Sequence, residues 1–217
     1  LLSADEMQRL NAFRSESAAK TFIIARALLR TALAERMACN PSELQFTRNA
    51  DGKPQLLHAD AAAVWQFNLS HSDEWIVLAL GQSAAIGVDI ESHRRRNNFQ
   101  GIAQRYFSAA EFGRLSAQTD THWLDYFFAV WTLKEAHAKA LGCGLSKILS
   151  CSSMEVDLEA RQIQFQLDGI ARPTSALSSW LYQLDEQTSL ALVEHGGSNS
   201  EPLLSMWAPF TALQSLS

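Results

Sequence analysis

The sequence predicts an α+β protein made of two similar α/β halves, each a small antiparallel sheet with packed helices. Two observations carry this prediction. Apolar residues recur at helical spacing over residues 17–37 and 126–141. Short runs of alternating apolar and polar residues lie between and after these stretches, which is the period-two pattern of half-buried strands. Because ligand pockets commonly form where such units meet, we expect the ligand site in the cleft between the halves.

The halves are expected to meet near residues 83–87, where a turn precedes a strongly apolar run. We assign residues 1–85 to an N-terminal half, residues 86–200 to a C-terminal half and residues 201–217 to a peripheral tail. The halves share no residue-level repeat, so their correspondence rests on the order of their elements. Residues upstream of Leu1 lie outside these predictions.

Composition narrows the class of protein. Of the 217 residues, 47% are hydrophobic and 19% are charged, which excludes wholesale disorder. The net charge of -5 argues against a general nucleic-acid binder, because neutralising phosphates requires a basic surface. Three scattered cysteines favour a reducing compartment, and no apolar run approaches the roughly 20 residues of a membrane-spanning helix. We therefore expect a cytoplasmic protein that binds neither nucleic acid nor membrane.

Local signals define the elements of the N-terminal half. Ser3 and Glu6 have the spacing of a capping box, which predicts a short helix through residue 13. A longer helix is predicted over residues 17–37. The other predicted elements of this half are strands at 44–47, 64–69 and 75–80, a turn cluster at 49–54 and a tight polar connection at 70–72.

The C-terminal half begins with an apolar run at residues 84–90, predicted as the third strand of an antiparallel meander. Ser108 and Glu111 form a second capping-box pattern, and Gly142 and Gly144 offer a C-cap for the strongest helix. The remaining predicted elements are helices at 101–106, from 108 onward and at 126–141, and strands at 155–158, 163–167, 179–183 and 189–193.

Three carboxylates and a lysine stand out because they occur among apolar residues. Side chains two apart on a strand share a face, so Asp89 and Glu91 point the same way. Trp131, Glu135 and Lys139 are four apart and lie on one stripe of a helix. Burying a carboxylate is costly unless something compensates it. The pattern therefore indicates a bound cation or a proton-transfer role.

Other polar residues have ordinary explanations beside functional ones. Lys53 is a turn lysine or an anion contact, and Ser70 and His71 cap a turn or bind phosphate. Glu111 is a capping-box acid or a catalytic group, and the sequence weighs these equally. The three arginines at 94–96 form a solvated loop or a docking surface for an acidic partner, and the sequence leaves this open.

Six motifs in order support a more specific interpretation. They are Gly52-Lys53-Pro54, the run at 67–72, the run at 87–91, Phe107-Ser108 with Glu111, the helix run at 131–139, and Gly142 with Gly144-Leu145. Together they resemble a 4′-phosphopantetheinyl transferase of the Sfp type, the pseudo-dimeric class that activates carrier proteins. The resemblance covers residues 13–145 well and the tail only by general pattern.

This resemblance implies an activity and a metal. The family moves 4′-phosphopantetheine from coenzyme A to a serine of an apo acyl or peptidyl carrier protein, releasing adenosine 3′,5′-bisphosphate. By the same resemblance, Asp89, Glu91 and Glu135 hold Mg²⁺, with the pyrophosphate of coenzyme A completing its shell. Mg²⁺ prefers oxygen ligands and commonly shares its shell with substrate phosphates. The three carboxylates are therefore suitable ligands on chemical grounds alone.

The resemblance also implies roles for further residues. Contacts to coenzyme A are implied for Lys53, Ser70, His71 and Lys139, with Lys20 near the adenosine end. The implied catalytic residues are Glu111, as the acid that takes the serine proton, together with Glu135 and Lys139. A monomer carrying its own cleft is implied as well.

Two other functions remain open at this stage. One is a metal-dependent hydrolase of nucleotide pyrophosphates, and the other is a non-catalytic protein that binds carrier domains or coenzyme A. The sequence does not distinguish carriers of fatty-acid, polyketide, siderophore or peptide synthesis. It also leaves open the identity of the general base and the contacts to the adenosine end.

Overall fold

The computed structural model describes residues 1–57, 65–82, 85–94, 98–149, 152–158, 162–167, 177–197 and 201–205. The helices in these ranges are α1 (Ala4–Asn11), α2 (Glu16–Met37), α3 (Phe99–Tyr106), α4 (Ala109–Ser116), α5 (Asp120–Leu141) and α6 (Leu145–Leu149), with a 3₁₀ turn at Pro41–Glu43. The strands are β1 (Gln45–Arg48), β2 (Pro54–Leu57), β3 (Gln66–Ser72), β4 (Trp75–Gly81), β5 (Ala85–Ser92), β6 (Ser152–Asp157), β7 (Gln162–Leu167), β8 (Leu177–Asp185) and β9 (Thr188–His195). The α+β class is confirmed.

Among the described residues, the strand pairs are all antiparallel and fall into small sheets. Three are two-stranded, β1–β2, β3–β4 and β6–β7, and one has the order β5–β9–β8. The prediction that β5 continues a meander from β4 is wrong, because the backbone partner of β5 is β9, with Val88 opposite Leu192. The fold instead places β5 beside β3, where side chains rather than a backbone ladder join the two strands.

Each long helix covers its own hydrophobic core. In the N-terminal part, Leu29 and Leu33 of α2 pack in a cluster with Phe67 of β3. In the C-terminal part, Phe127 and Leu133 of α5 belong to a larger cluster that includes residues of α3, α4, β6 and β9. A third cluster joins β4, β5 and β9 and contains Ala79, Ile86, Val88, Ile90, Leu190 and Leu192. Helix α5 and strand β5 thus lie at the centre of the fold.

A glycine allows α5 to approach β5 closely. A Cβ atom built on Gly87 would lie 2.0 Å from the backbone oxygen of Ala136 and 2.3 Å from the backbone nitrogen of Ala140. Only a residue without a side chain fits between these two backbones. This contact brings the side chains of α5 next to those that follow Gly87 on β5.

The helix ends follow the sequence signals closely. Both capping boxes are present, Ser3 with Glu6 at α1 and Ser108 with Glu111 at α4. Helix α5 ends at Gly142 in the left-handed conformation, with φ 65°. Helix α5 begins at Asp120, six residues before the predicted start. Within the described residues, no helix is long and apolar enough to cross a membrane.

Residues 70–72 are not the predicted connection. They are the last residues of β3, and the turn to β4 lies at residues 73–74, where Asp73 has a φ of 48°. The polar composition misled the prediction, because the hydroxyls of Ser70 and Ser72 accept bonds from the backbone of β5. Strand β2 and helix α6 were not predicted. Arg95 and Arg96 lie outside the described residues.

Candidate active site

A cavity of about 270 Å³ opens where β3, β5 and α5 meet. It is lined by Leu69, Ser70, His71, Asp89, Ile90, Glu91, Glu135 and Lys139. Six of the nine site residues predicted from the sequence therefore line one cavity, although they come from three elements spread over 70 positions. The other three, Lys20, Lys53 and Glu111, do not line it.

Asp89 is the centre of a hydrogen-bonded network in this cavity. Its Oδ1 accepts a bond from Lys139 Nζ at 2.6 Å and another from Ser70 Oγ at 2.9 Å. Lys139 Nζ also donates to Ser70 Oγ at 2.9 Å. The second oxygen, Oδ2, is buried and has no hydrogen-bond partner in the described part of the chain. One acceptor of a buried carboxylate is thus left without a donor, which is costly unless a ligand meets it.

Burial raises the pKa of Asp89 above its ordinary value, against the lowering effect of Lys139 and Ser70. Burial also raises the pKa of Glu135, and the nearby charge of Asp89 raises it further. The charge of Asp89 disfavours ionisation of Glu135, and a cation bound near both carboxylates would relieve this. Glu91 is half-buried and His71 exposed at the rim of the same cavity.

The donor set fits a hard divalent cation only in part. Within the residues that the structure describes, no three His, Cys, Asp or Glu side chains form a ready metal cluster. Mg²⁺ does not require a complete protein cage, because it keeps several waters and binds through one or two carboxylates plus phosphate oxygens. The free Oδ2 of Asp89, with Glu91 and Glu135 on the same cavity, meets that smaller requirement.

Lys53 lies at the back of α5 rather than in the cavity. Its Nζ donates to the backbone oxygens of Ile86, at 3.0 Å, and Ala140, at 2.9 Å. Burial lowers the pKa of Lys53 to about 8. Asn49 Nδ2 supports the same contact by donating to Gly142 O at 3.4 Å. The turn before β2 therefore holds the end of α5 against the start of β5, and the predicted phosphate contact of Lys53 stays a prediction.

Lys20 lies on the surface of α2. It forms an exposed ion pair with Glu16 at 2.8 Å. It also lines a second cavity of about 440 Å³, together with Glu16, Asp73 and Glu74. Three acids around one lysine make a poor setting for a phosphate. The predicted contact to the adenosine end of coenzyme A stays a prediction that this geometry does not favour.

Glu111 is fully buried. Its Oε1 is 3.0 Å from Lys134 Nζ and accepts a bond from the Met154 amide at 2.7 Å. Its Oε2 accepts from the Ser108 amide at 2.7 Å. The capping-box interpretation is confirmed. The general-base role stays a prediction without a visible route, because a base must reach its proton directly or through one water.

Two further residues at the site, Asn68 and Ser72, were not predicted from the sequence. Asn68 and Ser72 flank Ser70 on β3, and each binds a backbone amide of β5. Their signal was present in the sequence, since polar residues at 68, 70 and 72 alternate along an otherwise apolar strand. The prediction of a turn at 70–72 concealed it.

Family comparisons decide what this cavity belongs to. A model described as the 4′-phosphopantetheinyl transferase superfamily matches residues 85–193, and one described as the N-terminal part of a 4′-phosphopantetheinyl transferase matches residues 1–83. The chain belongs to the 4′-phosphopantetheinyl transferase superfamily. Ser70 and His71 lie in one matched segment and the acids in the other, so this transferase-family cavity is formed across both.

Individual relatives agree with this assignment. A phosphopantetheinyl transferase of Thraustochytrium sp. is 32% identical over 213 residues, which are 92% of this chain and 73% of that protein. HetI, a 4′-phosphopantetheinyl transferase of Nostoc sp., is 33% identical over 68% of this chain and 62% of its own length. Sfp of Bacillus subtilis is 28% identical over 76% of this chain and 71% of its own length. The resemblance predicted from the motifs is confirmed.

Among solved structures, a holo-(acyl-carrier-protein) synthase of Bacillus anthracis matches 52% of this chain and 96% of its own, at 16% identity and a TM-score of 0.44. That structure is a complex with CoA (3′,5′-ADP). A holo-[acyl-carrier-protein] synthase of Neisseria meningitidis matches 52% of this chain with 23% identity and a TM-score of 0.42.

Proposed function

We propose that this protein transfers 4′-phosphopantetheine from coenzyme A to a serine hydroxyl of an apo acyl or peptidyl carrier protein, releasing adenosine 3′,5′-bisphosphate. Family membership supports the class of reaction. The observation that carries the proposal for this chain is the cavity of β3, β5 and α5, where Asp89 is buried with one oxygen lacking a donor. Hydrolysis of nucleotide pyrophosphates and non-catalytic binding have no comparable observation in their favour.

Asp89, Glu91 and Glu135 are the residues that would hold Mg²⁺. Support comes from their place on one cavity and from the raised pKa values of Asp89 and Glu135. When bound, Mg²⁺ neutralises charge on a pyrophosphate and holds the reacting phosphorus in position. The negative charge of the carboxylates repels a pyrophosphate that arrives alone. Coenzyme A is therefore expected to enter the cavity together with its cation.

Lys139 and His71 are the residues proposed to meet the pyrophosphate of coenzyme A. Both line the cavity, and Lys139 keeps a partly exposed ammonium group. Charge-assisted bonds from such donors to phosphate oxygens are strong. As the serine oxygen attacks and the bond to the adenosine 3′,5′-bisphosphate breaks, these donors would stabilise the negative charge on the leaving phosphate.

Ser70 is proposed to orient these groups rather than to bind phosphate itself. A serine hydroxyl donates one bond and accepts two. Ser70 donates to Asp89 and accepts from Lys139 Nζ and, at 3.4 Å, from the Ile90 amide, so all three positions are used. Such a residue fixes the lysine and the acid relative to each other.

Glu111 is proposed to support α5 rather than to take the serine proton. Both of its oxygens are bound, and its partner Lys134 also donates to the Ser152 backbone oxygen at 2.9 Å. These bonds anchor the middle of α5 to β6 and α4. Glu135 and Lys139 then project from an anchored helix.

The remaining parts of the proposal concern the setting. The cavity is formed by β3, β5 and α5 of a single chain, which supports a monomer. Cys39 is a free thiol, which supports a reducing, cytoplasmic location.

The test is a mass measurement on the carrier. Purified protein is incubated with coenzyme A, Mg²⁺ and each of several apo carrier proteins, and the mass of every carrier is recorded. The proposal expects at least one carrier to gain a single phosphopantetheine arm, with the gain abolished by EDTA. No gain on any carrier would contradict it, and cleavage of coenzyme A without a carrier would favour the hydrolase.

A further inference from the structure

Strands β3 and β5 lie side by side without a backbone ladder between them. Three backbone amides of β5 donate hydrogen bonds to side-chain oxygens of β3. The amides of Val88, Ile90 and Ser92 donate to oxygens of Asn68, Ser70 and Ser72, at 2.9, 3.4 and 3.1 Å respectively. Each bond spans 20 positions, so the two strands run in the same direction in a fixed register. We call this set of bonds the β3–β5 seam.

The seam provides hydrogen-bond acceptors for those amides of β5 that do not point toward β9. Strand β5 pairs with β9 along one edge, and alternate residues of a strand direct their amides to opposite edges. The amides of Val88, Ile90 and Ser92 therefore face β3. A buried amide without an acceptor bears its full desolvation cost, so each seam bond is needed for β5 to remain in place.

The seam also determines where the acids stand. Asp89 lies between the amides of Val88 and Ile90, and Glu91 lies between those of Ile90 and Ser92. Fixing these amides fixes the backbone of both acids relative to β3. Because the acceptors are side chains, the register depends on individual residues, which a backbone ladder would not require. This explains the alternating polar residues of the motif at 67–72.

We propose that Asn68 and Ser72 are positioning residues whose side-chain oxygens hold β5 in register along β3 and thereby place Asp89 and Glu91 for cation binding. The inference rests on the proposed function, since it concerns the same cavity. Asn68 and Ser72 touch neither substrate nor metal in this account. They act through the backbone of β5.

The experiment uses the full chain with Asn68→Ala and with Ser72→Ala. The matched control is Ser152→Ala, because the Ser152 hydroxyl is also buried and makes one bond, to Ile148 O at 2.8 Å, outside the seam. Three quantities are measured: Mn²⁺ binding by EPR with coenzyme A present and no carrier, the Mg²⁺ concentration for half-maximal transfer, and the Tm.

Both seam variants are expected to weaken Mn²⁺ binding by about fivefold and to raise the half-maximal Mg²⁺ concentration by a similar factor. This is slightly less than the roughly 10-fold or larger losses seen when a residue that orients a metal ligand is removed. Ser152→Ala is expected to lower the Tm while leaving both metal quantities unchanged. Asn68→Asp keeps an acceptor oxygen at the same place. It is expected to restore Mn²⁺ binding to within about twofold of wild type.

A Tm loss in the seam variants with wild-type Mn²⁺ binding and Mg²⁺ dependence would overturn the inference, since the bonds would then be merely structural. If Asn68→Ala does not fold, Ser72→Ala decides alone, because it removes a single hydroxyl. Transfer by wild type with unaffected seam variants would overturn this inference and leave the proposed function standing. Absence of both Mn²⁺ binding and transfer in wild type would overturn the proposed function first.

Discussion

Helix α5 supplies the lysine of two lysine–carboxylate pairs, which differ in burial and in the bonding of the carboxylate. Lys139 Nζ is 2.6 Å from Asp89 Oδ1, and Lys134 Nζ is 3.0 Å from Glu111 Oε1, so both pairs are close enough for an ion pair. In the second pair both side chains are fully buried and both carboxylate oxygens are bonded. In the first, the lysine is 29% exposed and Asp89 Oδ2 has no hydrogen-bond partner among the described residues.

This difference separates a structural pair from one that is ready to bind. A fully satisfied buried pair resists change, because any rearrangement exposes an uncompensated charge. A pair with an unused oxygen on a cavity gains from a ligand. The lysines are five residues apart, which turns them about 140° from each other around the helix, so one helix serves both purposes.

The broadest effect is expected from Gly87→Ala, which disturbs both pairs at once. The added Cβ would lie 2.0 Å from the Ala136 backbone oxygen, so α5 would have to move away from β5. We expect loss of most transfer and a Tm lower by about 2–12 °C, since overpacking costs about 1–3 kcal/mol and each kcal/mol shifts the Tm of a chain of this size by about 2–4 °C. Gly113→Ala, where nothing lies within 4 Å of the new Cβ, is the control. Normal activity of Gly87→Ala would contradict the close contact.

A more local effect is expected from removing one partner of the buried Lys134–Glu111 pair. Lys134→Met leaves the Glu111 carboxylate buried without its cation, and we expect a loss of about 3–5 kcal/mol of unfolding free energy in urea denaturation. The matched control is Lys139→Met, which should cost at most about 2 kcal/mol, because that pair reaches the cavity and solvent. Equal losses in the two variants would mean that the pairs do not differ as described.

A smaller, pH-dependent effect is expected from His137, which lies on α5 between the two lysines. Burial lowers its pKa to about 4, with further lowering from His195 and Lys134. The unfolded chain has the ordinary value of about 6.5, so between pH 6.5 and 4 it binds more protons than the folded chain. Stability from this group is therefore fully present above pH 6.5 and falls by roughly 3 kcal/mol as the pH drops to 4.

The measurement is the unfolding free energy of wild type and His137→Phe from pH 7 to pH 4. The variant should lose less stability than wild type over this range, because Phe takes up no proton. Parallel curves for wild type and His137→Phe would count against a neutral, buried His137.

Much of this architecture is predictable from local signals. The capping boxes at Ser3 and Ser108 and the C-cap at Gly142 depend on a few adjacent residues, and the structure has all three. Six cavity residues could be identified because their motifs occur in order and resemble a known family. Local spacing and motif order are both properties of the linear chain.

The failures that affect the site concern contacts between distant segments. Nothing near Ile90 in the sequence indicates that β5 pairs with β9, about 100 residues away, instead of continuing from β4. Residues 70–72 have the polar composition of a turn. In the fold, the hydroxyls of Ser70 and Ser72 accept hydrogen bonds from backbone amides of β5. Lys53 and Glu111 are polar residues with family roles, yet the fold gives them carbonyls and a buried lysine as partners. The partner of a strand or a polar side chain is set by tertiary packing, which local sequence patterns do not show.

The central claim is that the Asp89 pair is the functional one and the Glu111 pair is structural. Its most direct test compares two matched amide substitutions, Asp89→Asn and Glu111→Gln, by the rate of carrier modification per folded molecule, followed by mass spectrometry with coenzyme A and Mg²⁺. The account predicts that Asp89→Asn lowers the rate at least about 100-fold, whereas Glu111→Gln lowers the Tm but keeps the rate within about threefold. A comparable loss of rate in Glu111→Gln, with Asp89→Asn near wild type, would contradict the account.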